Sequence, residues 1–263
     1  MNYDQMEWNN RFGIFGTSGT GKSWLIKYIV KQYLKYNKRR YYVIIDENIR
    51  NIQEYEEMGF HIEEINRDIF NHNFSVIDFL RYHEKVVFLI NDLLPAEIPD
   101  FLNPVADSLY SLGDSLFVID EAHYFIQRGK NNPESVIRYE RGGRKQGSDF
   151  IVGSHRTTDL NPDVVNLLNC VISFRVNEVN TIERLSRYYD QFNNVKNNDL
   201  IDPEMNKSQK NKAKKILKEN DPRLILKKLP NRYFLYSDDK NGIQEISTSN
   251  ILNIWKLFPV MYN

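Results

Sequence analysis

The 263-residue sequence contains a single cysteine, Cys170, so an intrachain disulfide is excluded. It sits in the apolar string Cys170-Val171-Ile172-Ser173-Phe174, where a thiol is expected to act as a small buried core side chain. Net charge is missing too, because 35 Lys plus Arg balance 35 Asp plus Glu. Global charge therefore points to no polyanionic partner, and any basic surface must be local. No stretch approaches the ~20 apolar residues that cross a bilayer. The start, Met1-Asn2-Tyr3-Asp4-Gln5, lacks the basic-then-apolar pattern of a secretory signal. A cytoplasmic protein without membrane insertion is the expectation. Internal repeats and low-complexity linkers are also missing. What remains is an ordinary globular composition, 41% hydrophobic and 27% charged, which can build a core without staples.

Short apolar runs alternate with helix-period segments. Strands are expected at Phe12–Phe15, Tyr41–Ile45, Val86–Ile90, Leu116–Ile119, Phe150–Val152 and Val171–Phe174. The stripe Leu25, Ile26, Ile29, Val30, Tyr33, Leu34 predicts a helix over Ser23–Tyr36 with one buried face. Further helices are expected near Ile98–Leu112, Pro133–Tyr139, Pro162–Leu168 and Asn180–Tyr188. Uninterrupted apolar strands indicate a sheet covered on both faces. Strands separated by helices indicate parallel βαβ units with right-handed crossovers. The fold class is thus α/β, a three-layer core with a mostly parallel central sheet over residues 1–190. Residues 191–263 read as a C-terminal extension: a basic stretch from Lys207 to Lys218, a short strand at Tyr233–Tyr236 and an apolar end at Ile251–Phe258.

Gly16-Thr17-Ser18-Gly19-Thr20-Gly21-Lys22-Ser23 matches the phosphate-loop pattern G-x-x-x-x-G-K-[ST] in full. It stands between a strand and an amphipathic helix, as its mechanism requires. Glycines let successive backbone N–H groups turn inward toward phosphate oxygens. The helix start adds its partial positive charge. Lys22 is expected on the β- and γ-phosphates of ATP and the Ser23 hydroxyl on Mg2+. A ligand-free glycine turn would not explain a lysine opposing the helix dipole.

Phe117-Val118-Ile119-Asp120-Glu121 is an apolar strand ending in two acids. Strand C-terminal ends line the ligand crevice of a parallel sheet. Asp120 is the expected Mg2+ acid and Glu121 the group that polarises the attacking water. Asp46-Glu47 also closes an apolar strand and is the weaker alternative for the metal acid. Asp120-Glu121-Ala122-His123 spells a helicase box, yet such helicases need two RecA-like domains and this chain has one. His123 is left open between a supporting polar group and a plain helix residue. His155 leaves the fifth strand where Ile151-Val152-Gly153-Ser154 turns polar, so it is expected beside the γ-phosphate. Just upstream, two glycines flank the basic cluster Arg138-Tyr139-Glu140-Arg141-Gly142-Gly143-Arg144-Lys145. A mobile arginine there, Arg144 first and Arg141 next, could reach a neighbouring subunit's site. A solvated or DNA-binding loop is the plain alternative.

In order, the phosphate loop, Val118–His123, Arg141-Gly142-Gly143-Arg144-Lys145-Gln146-Gly147 and Ile151–Leu160 resemble the HerA/FtsK-type ATPases. The resemblance spans roughly residues 10–188. It implies a RecA-like core of the additional-strand group and a motor that pumps double-stranded DNA. It implies self-association into a ring, with a hexamer as the expected count. It also implies a polar sensor at the end of the fifth strand, usually glutamine but here His155, and an arginine finger near Arg144. Cellular relatives carry extra domains, whereas this chain begins about ten residues before its first strand. It therefore looks most like the packaging ATPases of viruses with internal membranes, with capsid or portal components as further partners. Phosphate contacts are expected at Arg128 and Lys130 and from the lysines of 207–218. The competing reading is an NTP-driven assembly, secretion or switch ATPase that handles protein.

Overall fold

The apolar runs become the middle of one sheet. The computed structural model describes residues 10–187, except 37, 48–51, 68–74, 128 and 130–132, together with Arg223, Leu226, Lys227, Leu229, Tyr233–Asp238 and Gly242–Ser247. The strands among these residues are β1 (Arg11–Phe15), β2 (Tyr41–Asp46), β3 (His61–Ile65), β4 (Lys85–Ile90), β5 (Ser115–Ile119), β6 (Asp149–Ser154), β7 (Cys170–Ser173), β8 (Tyr233–Asp238) and β9 (Gly242–Ser247). The helices are α1 (Lys22–Lys35), α2 (Ile52–Glu57), α3 (Val76–Tyr82), α4 (Ile98–Leu112), α5 (Glu134–Gly142) and α6 (Pro162–Leu167). Residues 179–187 are helical as well. The spatial order is β3-β4-β2-β5-β6-β1-β7-β8-β9. Every pair from β3 to β7 is parallel, and β8 and β9 add an antiparallel hairpin at the β7 edge.

Alternation along each strand builds two hydrophobic layers. Phe117, Ile119, Phe150 and Val152 face α4 and α5, meeting Phe101, Leu102, Val105 and Tyr139. Leu116, Val118, Ile151 and Ile14 face the other way, onto Leu25, Ile26, Ile29 and Tyr33 of α1. Helix α1 covers its face with the stripe read from the sequence. Each such side chain contributes roughly 1.5–3 kcal/mol when fully buried. Cys170 is a buried thiol in β7, outside any disulfide. Strand β3, His61-Ile62-Glu63-Glu64-Ile65, carries no apolar run, because it is the sheet's edge and only Ile65 is buried. Alternation is too weak a signal in such a strand.

The lower edge of the sheet, where the parallel strands begin, holds buried charges. Arg11 Nε donates to the Glu140 carbonyl at 2.8 Å and Nη1 to the Ser148 carbonyl at 2.7 Å. The Asp149 carboxylate, fully buried, accepts from Arg39 Nη2 at 2.8 Å and from the Asn10 amide at 2.6 Å. These bonds tie the starts of β1 and β6 to the end of α5. Gly142 and Gly143 lie in helical backbone: α5 ends at Gly142 and a 3-10 turn follows over Gly143–Gln146. The expectation of a mobile basic loop is corrected here. The glycines serve close packing, since a Cβ on Gly142 would stand 2.7 Å from the Tyr110 ring and one on Gly143 3.1 Å from Arg11 Nη2. The expected basic contacts Arg128 and Lys130, Lys207–Lys218 and the apolar end Ile251–Phe258 lie outside the described residues.

Removing Asp149 would leave a largely buried guanidinium whose nearest other acid, Asp114, is 3.7 Å away. Asp149→Ala is therefore expected to cost about 3–5 kcal/mol in a urea unfolding curve. A loss below about 1 kcal/mol would mean that Arg39 rehydrates freely.

Candidate active site

Three neighbouring strand tips, β5, β6 and β1, form the site. From Phe15 the chain curls through Gly16–Gly21 into α1. The Gly16 amide donates to the Ser154 carbonyl at 3.2 Å and the Thr17 amide to the Arg175 carbonyl at 3.0 Å, so the loop is held by β6 on one side and by the segment that follows β7 on the other. The Thr20 hydroxyl closes it on the Thr17 carbonyl at 2.7 Å. A Cβ on Gly16 would stand 2.6 Å from Phe174 Cβ, so no larger residue passes there. Gly21 precedes α1 with φ 113°, offers no side-chain cap, and no acid follows in the first turn. The first amides of α1 are thus left to an anion. Ser18 and Gly19 are exposed at the loop's crest, and Lys22 is buried beneath it.

Asp120 and Glu121 leave the tip of β5. The strand that leads into the phosphate loop is not adjacent to the one that ends at Asp120: β6 runs between β1 and β5. Ser23 and Asp120 still meet, with the Ser23 hydroxyl bonded to the Asp120 carboxylate. They meet because β6 carries glycine at the crossing. A Cβ on Gly153 would stand 2.5 Å from Asp120 Oδ1 and 2.7 Å from Ile26 Cδ1. Asp120 is 1% exposed; burial raises its pKa, against the bond from Ser23.

Glu121 has φ 46°, a left-handed conformation that costs a non-glycine residue energy and recurs at functional sites. The turn delivers its carboxylate to three partners. Oε1 lies 3.4 Å from Lys22 Nζ. Oε2 lies 3.2 Å from His155 Nδ1 and 3.4 Å from His123 Nδ1. The open question about His123 is resolved geometrically: its ring is buried, contacts the His155 ring at 3.9 Å between centroids, and faces the Ser154 hydroxyl at 3.3 Å. Burial, followed by the nearby His155, pushes the His123 pKa down to about 4, so it is neutral at pH 7.

The other sequence-derived residues fall in two places. Asp46 is buried at the tip of β2, beyond β5 from the loop. Glu47 next to it feels Glu121 and Asp120: burial, then these two charges, raise its pKa. Arg141 and Arg144 sit at the opposite end of the sheet from the phosphate loop. Arg141 is exposed and pairs with Asp163 at 3.1 Å, and Arg144 is exposed on the 3-10 turn. Neither reaches this chain's own loop. Sequence reasoning overlooked the roles of Gly153, Ser154 and Arg175. Only the order β6-β1-β7 makes them neighbours of the phosphate loop, and nothing in the sequence announces that order.

Residues 6–231 match the family model of the helicase HerA central domain. The chain belongs to that family. With this site it is a P-loop ATPase. Solved structures of similar fold include the genome packaging NTPase B204 of Sulfolobus turreted icosahedral virus 2 in complex with ATP-gammaS, at 22% identity and TM-score 0.59, covering 93% of this chain and 98% of that one. The DNA-packaging ATPase B204 of Sulfolobus turreted icosahedral virus aligns at 23% identity and TM-score 0.57, over 91% and 98% of the two chains. VirB4 of Thermoanaerobacter pseudethanolicus aligns at 12% identity and TM-score 0.55, over 91% and 89%. No curated protein matches the chain in sequence. These likenesses are likenesses of fold. In this chain β6 lies between β1, which leads into the phosphate loop, and β5, which ends at Asp120. Among the described residues no helix is long and apolar enough to cross a membrane.

Gly153→Ala isolates the close approach at that strand. The added methyl would displace Asp120 from Ser23, so ATP hydrolysis should fall at least about ten-fold while overpacking costs roughly 1–3 kcal/mol. Steady-state kinetics beside a thermal melt checks this; unchanged turnover would show that the crossing tolerates a side chain.

Proposed function

We propose that the chain is an ATP-hydrolysing motor that translocates or packages double-stranded DNA, working as a ring, with a hexamer as the expected form. One observation carries the hydrolytic part: Lys22, Ser23, Asp120, Glu121 and His155 converge from three strand tips around the phosphate loop. Support for the DNA part comes from family membership and from the similar fold of two DNA- or genome-packaging NTPases.

ATP would lie with its phosphates over Gly16–Ser23, in reach of the α1 amides. The Ser23 hydroxyl and Asp120 carboxylate are hard oxygen donors side by side, the pair that suits Mg2+ with its retained waters. When bound there, Mg2+ would neutralise charge on the β- and γ-phosphates. Lys22 would turn from Glu121 to the γ-phosphate, releasing Oε1. Glu121 would then orient a water for in-line attack and accept its proton. His155, 28% exposed and bonded to Oε2, would hold that carboxylate in position and sense the γ-phosphate. Arg144, and next to it Arg141, would act on the site of a neighbouring subunit, since both face away from their own. Such fingers are worth ~10³–10⁵ in rate elsewhere.

Glu121→Gln is expected to bind ATP and lower kcat by about 10²–10⁴-fold, whereas Lys22→Ala should lose tight binding of a fluorescent ATP analogue. Normal turnover by Glu121→Gln would remove it as the base. Double-stranded DNA at low salt should raise the ATPase rate, with a salt slope of roughly 0.9 per phosphate contacted. A rate indifferent to DNA would favour the protein-handling alternative. Mixed with wild type, Arg144→Ala subunits should poison activity more than in proportion to their fraction. Strictly additive rates would exclude a finger acting between subunits.

A further inference from the structure

Glu121 and the two histidines beside it form a donor set that hydrolysis does not need in full. His123 Nδ1 and His155 Nδ1 approach the same carboxylate oxygen at 3.4 and 3.2 Å. One ligand atom from each of Glu121, His123 and His155 lies within 4.8 Å of the others, and these form the one such group among the described residues. Nitrogen and oxygen ligands at ~2.0–2.1 Å from a tetrahedral ion stand about 3.3–3.4 Å apart, so the carboxylate-to-imidazole spacings already match two tetrahedral edges. The other ring nitrogen of His123, Nε2, is not one of these ligand atoms and reports only how deeply the ring is packed. His123 is 6% exposed, and its Nε2 is buried without a hydrogen-bond partner. The ring has given up water for a place beside Glu121 without satisfying both nitrogens.

Two imidazoles and one carboxylate are a borderline-soft set that prefers Zn2+ or Co2+ to Mg2+. We propose that Glu121, His123 and His155 bind a divalent cation of this class at a site separate from the Ser23–Asp120 oxygens, and that its occupation blocks hydrolysis. The local charge favours a dication: Glu121, Asp120 and Glu47 act on one another, and Lys22 is the opposing cation, touching the other oxygen of Glu121. The blocking effect rests on the proposed role of Glu121, because a carboxylate bound to Zn2+ cannot take a proton from water. The binding itself does not depend on that role.

A competing cluster exists on the surface, where the His61 and His83 rings stack at 3.9 Å and His61 Nε2 lies 3.1 Å from Glu63. The test therefore compares sites. Full-length protein is titrated with Co2+ while the visible d–d absorption of a four-coordinate ion is followed, and Zn2+ is then used to displace it. One equivalent should give the tetrahedral spectrum in wild type and in the double variant His61→Ala/His83→Ala. His123→Ala and His155→Gln should each weaken binding at least about ten-fold, by analogy with the loss of metal-site partners elsewhere. His155 is the more exposed of the two, so His155→Gln carries the comparison if His123→Ala unfolds in a thermal melt. Wild-type affinity in both single variants, or loss of the spectrum in the His61/His83 double variant, overturns the site. Zn2+ should inhibit wild-type Mg-ATP hydrolysis in parallel with Co2+ displacement. A tetrahedral spectrum with undiminished hydrolysis overturns the blockade and leaves the cation site standing. The turnover of Glu121→Gln reports separately on whether Glu121 is the base.

Discussion

The close approach of Asp120 to Ser23 across Gly153 is the constraint on which the rest of the site depends. An apolar parallel sheet cannot easily hold a carboxylate at 1% exposure. It does so here because the phosphate loop supplies a hydroxyl and a lysine within the same few ångströms. The cost of burying the acid is offset only when cationic ligands and hydrogen bonds complete the set. Ser23 and Asp120 thus bring two oxygens together in a buried place, and the missing side chain of Gly153 leaves the room for it.

Around these two oxygens, the chain spends conformational energy to aim one carboxylate. Glu121 stands in the left-handed region, and its two oxygens are divided between Lys22 on one side and two histidines on the other. Such strain persists only where surrounding contacts over-determine the geometry. Here the Ala122 amide bonds the Gly153 carbonyl at 2.7 Å and the Glu121 amide bonds Asp120 Oδ1 at 2.9 Å. The turn is thus pinned to the strand that also supplies Ser154 and His155. Strand β6 spaces β5 from β1, clears room for Asp120 and leads directly into His155.

The two ends of the same strands do different work. At the upper ends, β1 and β6 carry the phosphate loop and His155. At the lower ends, Arg11 and Asp149 anchor the α5 turn that displays Arg141 and Arg144. In this arrangement, buried charge at the lower edge supplies registry for the arginine turn, and the apolar layers supply most of the stability.

Much of this was legible in the residues alone. The phosphate loop, the Asp120-Glu121 strand end and the central apolar strands are local signals, because each requires a particular run of neighbours in sequence. The family resemblance followed from their order, and the match over residues 6–231 bears it out. Elements without a local signal were missed: the edge strand β3, half-exposed and charged, and the β9 strand of the hairpin. The basic Gly142-Gly143 segment looked like a flexible loop because glycine signals either freedom or close packing, and sequence does not distinguish them. Sequence by itself picked out the side chains expected on phosphate and metal, since those chemistries need fixed residue types at fixed spacing. Only the tertiary structure decided that β6 separates the two nucleotide strands, that His123 joins Glu121 and that the arginines face away from their own site. Those facts depend on strand order, which arises from packing between residues far apart in the chain.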